Sequence, residues 1–188
     1  QTLAAEYYLS QGDYERAATH VGSAAQLNRD QSRVLLLQSQ IALVRQRYQE
    51  ALEAARTVVD RERSNAQAWY LQAVAQEELG NIEESSRSFT LALRARPADE
   101  ALRIRYEAMA LEHFGQENET RARLAAYHFQ EAASLRGRNL FDLAAQELRR
   151  GLKLSPFDRD GRLAYAELLR LRGLNGRYLE QLRVLREQ

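Results

Sequence analysis

The chain has 188 residues, of which 45% are apolar and 28% charged, and its formal net charge is +1. It contains no cysteine, which excludes disulfides, thiolate metal sites and thiol catalysis. No apolar run approaches the roughly 18 residues that a membrane-spanning helix needs. Helix-forming residues dominate the chain, only Pro97 and Pro156 interrupt it, and alternating β-branched runs are absent. The composition therefore predicts a soluble, all-α protein.

A sequence pattern returns every 34 residues in the first part of the chain. Residues 12–17 (GDYERA) are echoed at 46–51 (QRYQEA) and at 80–85 (GNIEES), with a turn residue, a large apolar residue and a small residue in register. A fixed period of this length is typical of helix–turn–helix repeats. The pattern predicts three repeats, at 1–31, 32–65 and 66–99.

The register changes after residue 99. Residues 100–114 predict one irregular helix closed by Gly115, and residues 119–136 contain no helix breaker. At a rise of 1.5 Å per residue, a single helix over 119–136 would be about 27 Å long. It would be the first helix of a repeat at 119–157 and the partner of both the preceding and the following helix.

The last segment, 158–188, predicts a capping pair of helices. Its first helix spans 159–172, the turn lies at 174–176, and a short last helix spans 178–185. Terminal repeats are atypical because one of their faces meets water.

Two sets of residues resemble the signature of the tetratricopeptide repeat family in order and spacing. In the second set, Asn139 stands in place of the turn glycine. The resemblance implies one right-handed α-solenoid over 1–188, built from antiparallel helix pairs with about eleven helices in all. The first set comprises Trp69, Ala73, Gly80, Phe89, Ala92 and Pro97, and the second comprises Ala132, Phe141, Ala144, Gly151, Leu152 and Pro156.

The sequence offers little catalytic or metal-binding chemistry. His20, His113 and His128 lie in different predicted helices without a partner at ligand spacing, so no metal site is predicted. Two glutamate pairs, 77–78 and 83–84, flank the turn at Gly80 and are expected to be solvated. There is no glycine-rich phosphate loop. We therefore expect no enzyme activity and no cofactor.

The resemblance implies that the first helices of successive repeats line a concave groove. Helical periodicity selects residues that would face it, with Tyr70, Ile104 and Phe129 as the main anchors. A row of exposed apolar side chains favours binding of a partner helix or an extended peptide. The competing interpretation of any one of them is a core contact with the neighbouring repeat. The predicted groove residues are Leu36, Gln40, Tyr70, Val74, Ile104, Leu111 and Phe129.

The expected function is a non-enzymatic protein–protein interaction module or scaffold. One alternative is a scaffold that self-associates through its end surfaces. RNA binding is disfavoured because arginines alternate with acidic residues, although residues 121–188 carry 14 basic and 8 acidic side chains against 13 and 18 in 1–120.

The family resemblance excludes few classes of partner. The clamp that chaperone-binding members of the family use for a C-terminal carboxylate is missing, because the matching positions hold other residues. The resemblance implies that such arrays serve bacterial envelope, pilus and flagellar assemblies among other machines, and both cytoplasm and periplasm fit. The matching positions are Thr2, Glu6, Leu37, Gln67 and Leu71.

Overall fold

A computed structural model of the chain describes residues 1–27 and 31–187. These residues form eleven helices and contain no β-strand, which confirms the predicted all-α class. The junction 28–30 between the first two predicted repeats, and residue 188, lie outside the described residues. The helices are α1 (Thr2–Ser10), α2 (Tyr14–Gln26), α3 (Gln31–Val44), α4 (Tyr48–Arg61), α5 (Ala66–Glu78), α6 (Ile82–Ala95), α7 (Glu100–His113), α8 (Glu119–Gly137), α9 (Phe141–Leu154), α10 (Arg159–Leu171) and α11 (Asn175–Glu187).

The turn inside each helix pair has the same geometry. One residue adopts a left-handed conformation, with φ between 59° and 79°. The next N–H then bonds to a carbonyl five residues earlier at 2.8–2.9 Å, which satisfies a free carbonyl at the helix end. The left-handed residues are Gly12, Gln46, Gly80, Asn139 and Gly173.

The starts of three first helices are also built alike. The cap side chain of Asn65, Asp99 or Asp158 accepts a hydrogen bond from the N–H three residues later, at 2.7–3.0 Å. This satisfies one of the free N–H groups of the helix. Four residues after each cap, a side chain donates back to the carbonyl six residues before it. These bonds run from Trp69 to Arg63, from Arg103 to Pro97 and from Arg162 to Pro156.

The predicted long helix is confirmed. α8 runs unbroken for 19 residues, about 28 Å at the usual helical rise. Asn118 caps its start, and the Asn118 side chain accepts a hydrogen bond from the N–H of Thr120 at 2.8 Å. His128 of α8 contacts Glu107 of α7 and Glu147 of α9, so the helix is a partner to both neighbours, as expected.

The prediction for the last helix was wrong at its start. Asn175 and Gly176 were expected in a turn, but both belong to α11, which has 13 residues. Gly173 is the residue with positive φ, at 71°, and Leu174 N–H bonds to the carbonyl of Leu169 at 2.9 Å. The turn therefore ends at Leu174, two residues before the end at Gly176 that the sequence predicted.

The chain packs as two compact units, an N-terminal unit (1–106) and a C-terminal unit (107–188), with the boundary inside α7. In the N-terminal unit, Phe89 is fully buried and stacks on Tyr106 with ring centroids 5.1 Å apart. In the C-terminal unit, α8, α9 and α10 share a core that includes Ala132, Leu148 and Leu168. No helix in the described residues is long and apolar enough to cross a membrane.

Candidate functional site

The first helices of the N-terminal unit form one surface, which we call the first-helix face: α1, α3, α5 and residues 100–106 of α7. α1 packs beside α3 and α3 beside α5. Arg33 of α3 donates two hydrogen bonds to Glu6 of α1, from Nε at 2.7 Å and from Nη2 at 2.6 Å. Arg105 of α7 pairs with Glu77 of α5 at 2.6 Å. These ion pairs fix neighbouring helices to each other.

The structure shows how far each predicted residue of this face reaches the surface. Leu36 is 8% exposed and lies in the core with Val58 and Leu71, so a partner has little of it to contact. Gln40, Tyr70 and Val74 are half-buried, whereas Ile104 is 52% exposed. The face therefore offers Ile104 and the outer sides of the half-buried residues. Whether they bind a partner stays a prediction.

Tyr70 lines a cleft of about 230 Å³ between α5 and the start of α7, together with Gln67, Ala101 and Leu102. Its ring packs edge-to-face with the Phe89 ring, with centroids 6.0 Å apart and planes at 70°. Such an edge-to-face contact holds the ring in one orientation. Tyr70 is thus partly a core residue and partly the wall of an open cleft.

The charged groups on this face are more buried than the sequence indicated. Glu77 was expected to be solvated, but its side chain is only 8% exposed because it pairs with Arg105. The Arg105 guanidinium also lies 5.7 Å from the centre of the Phe89 ring, a favourable cation–π position. At the other pair, the hydrogen bond from Arg33 lowers the pKa of Glu6 below its ordinary value, against the opposing effect of burial.

The two remaining predicted residues belong to the C-terminal unit. Leu111 and Phe129 are both half-buried. The Phe129 ring lies against Gly151 of α9 and Gly161 of α10, so closely that a Cβ atom at either glycine would overlap it. Phe129 also lines a cleft of about 410 Å³ between α8 and α10. It therefore makes a core contact and borders an open cleft at the same time.

A buried charge cluster in the C-terminal unit was missed by the sequence reasoning. His128 is fully buried; its Nδ1 lies 2.6 Å from a Glu147 oxygen and its Nε2 2.7 Å from a Glu107 oxygen. Arg150 pairs with the same two carboxylates, at 3.4 Å and 3.7 Å. Both ring nitrogens are occupied, so the imidazole has no lone pair left for a metal ion.

The geometry favours a charged imidazole. Ionised carboxylates only accept hydrogen bonds, so beside two of them both ring nitrogens donate, which only imidazolium can do. Burial alone lowers the pKa of His128, but the hydrogen bonds to Glu107 and Glu147 outweigh it and raise the pKa above its ordinary value. With His128 protonated, two cations balance two anions in the interior. This cluster joins the end of α7 to α8 and α9.

One sequence signal would have predicted that His128 is buried. When the sequence of the third repeat is aligned with the sequence 59 residues later, Tyr70 corresponds to Phe129 and Pro97 corresponds to Pro156. In that register Trp69 falls on His128. A histidine at a position that elsewhere holds tryptophan is expected to point inward. Its two glutamates come from other helices and follow no fixed spacing, so the sequence alone could not show them.

The comparisons with known proteins agree with this fold. The sequence model of the family described as tetratricopeptide repeat matches residues 2–61 and 36–100, together more than half of the chain. No curated protein sequence matches the chain, and no catalytic family is indicated.

Two solved structures illustrate the likeness. TTC0263, a thermophilic TPR protein in Thermus thermophilus, is 20% identical, with 88% of this chain and 95% of that chain covered and a TM-score of 0.50. A chain in the structure of Naa15/Naa10 bound to HypK-THB is 13% identical, with 99% of this chain and 24% of that chain covered and a TM-score of 0.55. At these identities the likeness concerns the fold alone. Repeat signature, helix-pair architecture and family match agree, and the chain belongs to the tetratricopeptide repeat family, whose fold supports protein–protein interaction.

Proposed function

We propose that this chain is a non-enzymatic interaction module that binds a partner helix or extended segment on its first-helix face. The observation that carries the proposal is Ile104, a large apolar side chain that is 52% exposed on α7. It lies one helical turn from Ala101, which lines the cleft beside Tyr70. Binding hot spots are enriched in tyrosine and cluster in pockets that a partner desolvates, and the cleft lined by Tyr70 is such a pocket beside Ile104.

The rigidity of the face supports the same proposal. The Arg33–Glu6 and Arg105–Glu77 pairs hold adjacent first helices together, and Phe89 holds the Tyr70 ring. A surface that is already ordered loses less conformational entropy when a partner binds. The face is therefore suited to bind without rearrangement.

Site-specific photo-crosslinking tests the proposal. A photoreactive amino acid replaces Ile104, and in a separate protein it replaces Leu143 of the second helix α9, which is 46% exposed. Both proteins are exposed to an extract of the source cells, and crosslinked proteins are identified by mass spectrometry. We expect a partner that crosslinks at 104 and not at 143. Equal crosslinking at both positions would show that the first-helix face has no special role.

Substitutions then test the same face without a crosslinker. Tyr70→Asp combined with Ile104→Asp should abolish capture of that partner, because each carboxylate would be buried unpaired in the interface. Circular dichroism establishes that the variant remains folded. Since Tyr70 also contacts Phe89, Ile104→Asp alone serves as the variant least able to disturb the core. Retention of the partner by Ile104→Asp would overturn the proposal.

A second candidate function is self-association. The observation that favours it is a set of exposed apolar side chains on the first and last helix pairs: Leu3 (70%), Tyr7 (61%), Leu171 (60%) and Leu179 (52%). Static light scattering over a wide concentration range tests it directly. A mass that rises with concentration and falls back to the monomer in Leu3→Asp would favour assembly. A constant monomer mass would exclude it.

A further inference from the structure

The cleft between α8 and α10 in the C-terminal unit has a distinct chemistry. It measures about 410 Å³, and its lining combines small and aromatic apolar side chains with a few polar ones. Phe129, Leu148 and several alanines form the apolar part. Gln130, Arg136, Asp158 and Asp160 form the polar part.

The register shift of 59 residues shows what makes this cleft different from the one at Tyr70. Leu102 of the smaller cleft corresponds to Gly161, whose side-chain space is taken by the Phe129 ring, and Ala101 corresponds to Asp160. The first cleft measures about 230 Å³ and the second about 410 Å³. At equivalent positions, the second cleft is thus larger and has gained a carboxylate.

The carboxylate of Asp160 has no cation to balance it among the described residues. Arg136 pairs with Glu167 at 3.7 Å. Arg159 donates to the carbonyl of Leu185 at 3.3 Å. Arg162 donates to the carbonyl of Pro156 and, at 2.9 Å, to Gln181. These three arginines are therefore engaged by other partners.

The neighbouring aspartate has a structural task. Asp158 accepts the N–H of Gly161 at 2.7 Å and caps α10, which offsets the partial positive charge of the helix start. Asp160 is exposed in the first helical turn. The cleft consequently presents one unbalanced negative charge beside an apolar floor.

We propose that the α8–α10 cleft binds an extended segment of a protein partner that carries a lysine or arginine next to an apolar side chain. The cationic head would pair with Asp160, and its aliphatic stem would cover Phe129 and the alanines. The apolar neighbour would lie against Leu148 and the alanines of the lining. This inference rests on the proposed function in treating the chain as a peptide-binding module, but it concerns a separate surface from the first-helix face.

Fluorescence anisotropy with defined peptides tests the inference on the whole chain. The probe is a labelled peptide with a Leu-Lys-Ala-Leu core, and two control peptides carry Glu or Gln in place of Lys. The protein variants are Asp160→Asn and, as a matched control, Glu131→Gln. Glu131 is an exposed acid on α8 outside the cleft lining, so the two variants lose the same charge.

We expect the Lys peptide to bind about tenfold more tightly than the Glu peptide, the order expected for one partly desolvated ion pair. Asp160→Asn should remove most of this preference, and Glu131→Gln should leave it in place. Equal affinity for the three peptides, or an equal loss in both variants, would overturn the inference, as would no binding at all.

A further variant separates this inference from the proposed function. Ile104→Asp should leave the affinity of the Lys peptide unchanged, because Ile104 belongs to the first-helix face. If Ile104→Asp weakened the Lys peptide, the peptide would bind the first-helix face and the inference about the α8–α10 cleft would be wrong. Conversely, partner capture that depends on Ile104 while no peptide binds the cleft would overturn the cleft proposal alone.

Discussion

Two regions of this protein occupy the same repeat register but solve the packing problem differently. Around Tyr70, Phe89 fills the interior, and the two rings pack edge-to-face. Fifty-nine residues on, Phe89 corresponds to Leu148, which leaves less aromatic volume in the core. There the ring of Phe129 packs on Gly151 and Gly161. The phenylalanine ring that packs between the helices thus comes from the second helix in one region and from the first helix in the other.

The same pair of regions differs in its buried polar contacts. Trp69 Nε1 donates to the backbone carbonyl of Arg63 at 2.8 Å, a neutral hydrogen bond. At the equivalent position, His128 joins two carboxylates from two other helices. A neutral bond to the chain's own backbone fixes a local turn, whereas the charge cluster makes three helices depend on each other. One repeat register thus accommodates both local and long-range polar contacts.

Removing the imidazole should have the largest effect on stability. His128→Gln leaves Glu107 and Glu147 close together without the central cation, and breaking a buried ion pair in this way costs about 3–5 kcal/mol. Trp69→Phe, the matched change in the other region, loses one hydrogen bond and should cost about 1 kcal/mol beyond its packing loss. Urea unfolding of both variants provides the measurement. Similar losses in the two variants would mean that the cluster is no more than an ordinary polar contact.

The same cluster predicts a pH dependence of stability. The pKa of His128 in the folded protein is raised above its ordinary value of 6.5. The folded protein therefore binds this proton more tightly than the unfolded chain does. The stabilisation is therefore fully present below pH 6.5 and is lost as the pH rises through the folded pKa. Wild type should lose more unfolding free energy than His128→Gln between about pH 6 and pH 9. Parallel pH profiles would contradict a protonated His128.

Adding a methyl group at either glycine beside Phe129 should have the next largest effect. Gly151→Ala or Gly161→Ala would place a Cβ 2.3 Å or 2.4 Å from the nearest Phe129 ring carbon, and overpacking of this kind costs about 1–3 kcal/mol. Gly22→Ala is the matched control, because Gly22 lies within α2 and a Cβ there meets nothing within 4 Å. The control should be stabilised by about 0.5–1 kcal/mol. Phe129→Leu should partly rescue Gly151→Ala, and an absence of rescue would place the clash elsewhere.

The turns offer the smallest expected effect. Gln46 adopts φ of 59° where the equivalent position in the next repeat is Gly80, at 79°. A non-glycine residue is strained in this region, so Gln46→Gly should raise the melting temperature by a few degrees, equivalent to about 0.5–1 kcal/mol. Gly80→Ala should lower it by a similar amount. A Gln46→Gly variant that melts below wild type would show that the side chain of Gln46 makes a stabilising contact.

The sequence predicted the features that depend on local chemistry. The 34-residue period follows from turn residues and small residues whose backbone roles are local, and the long α8 follows from a stretch without breakers. The start of α11 was mistaken because Gly173 and Gly176 are both plausible turn residues by local preference alone. Only the hydrogen bond of Leu174 to Leu169 distinguishes them.

The candidate site was less predictable because exposure depends on distant partners. Helical periodicity placed Leu36 and Ile104 on the same predicted groove, yet one is 8% exposed and the other 52%. The burial of Glu77 depends on Arg105, which comes from another helix. The slot for Phe129 depends on two glycines from two further helices. Such combinations have no fixed sequence spacing and emerge only when the helices pack.

The affinity of the captured partner for Ile104→Asp and for Leu143→Asp shows whether the first-helix face binds that partner. Both variants replace an apolar side chain of similar exposure, 52% and 46%, by a carboxylate, so their effects on solubility and charge are matched. We expect Ile104→Asp to weaken binding by at least about thirtyfold, the loss typical of a hot-spot residue, while Leu143→Asp binds like wild type. Wild-type affinity in Ile104→Asp would show that the partner does not bind the first-helix face.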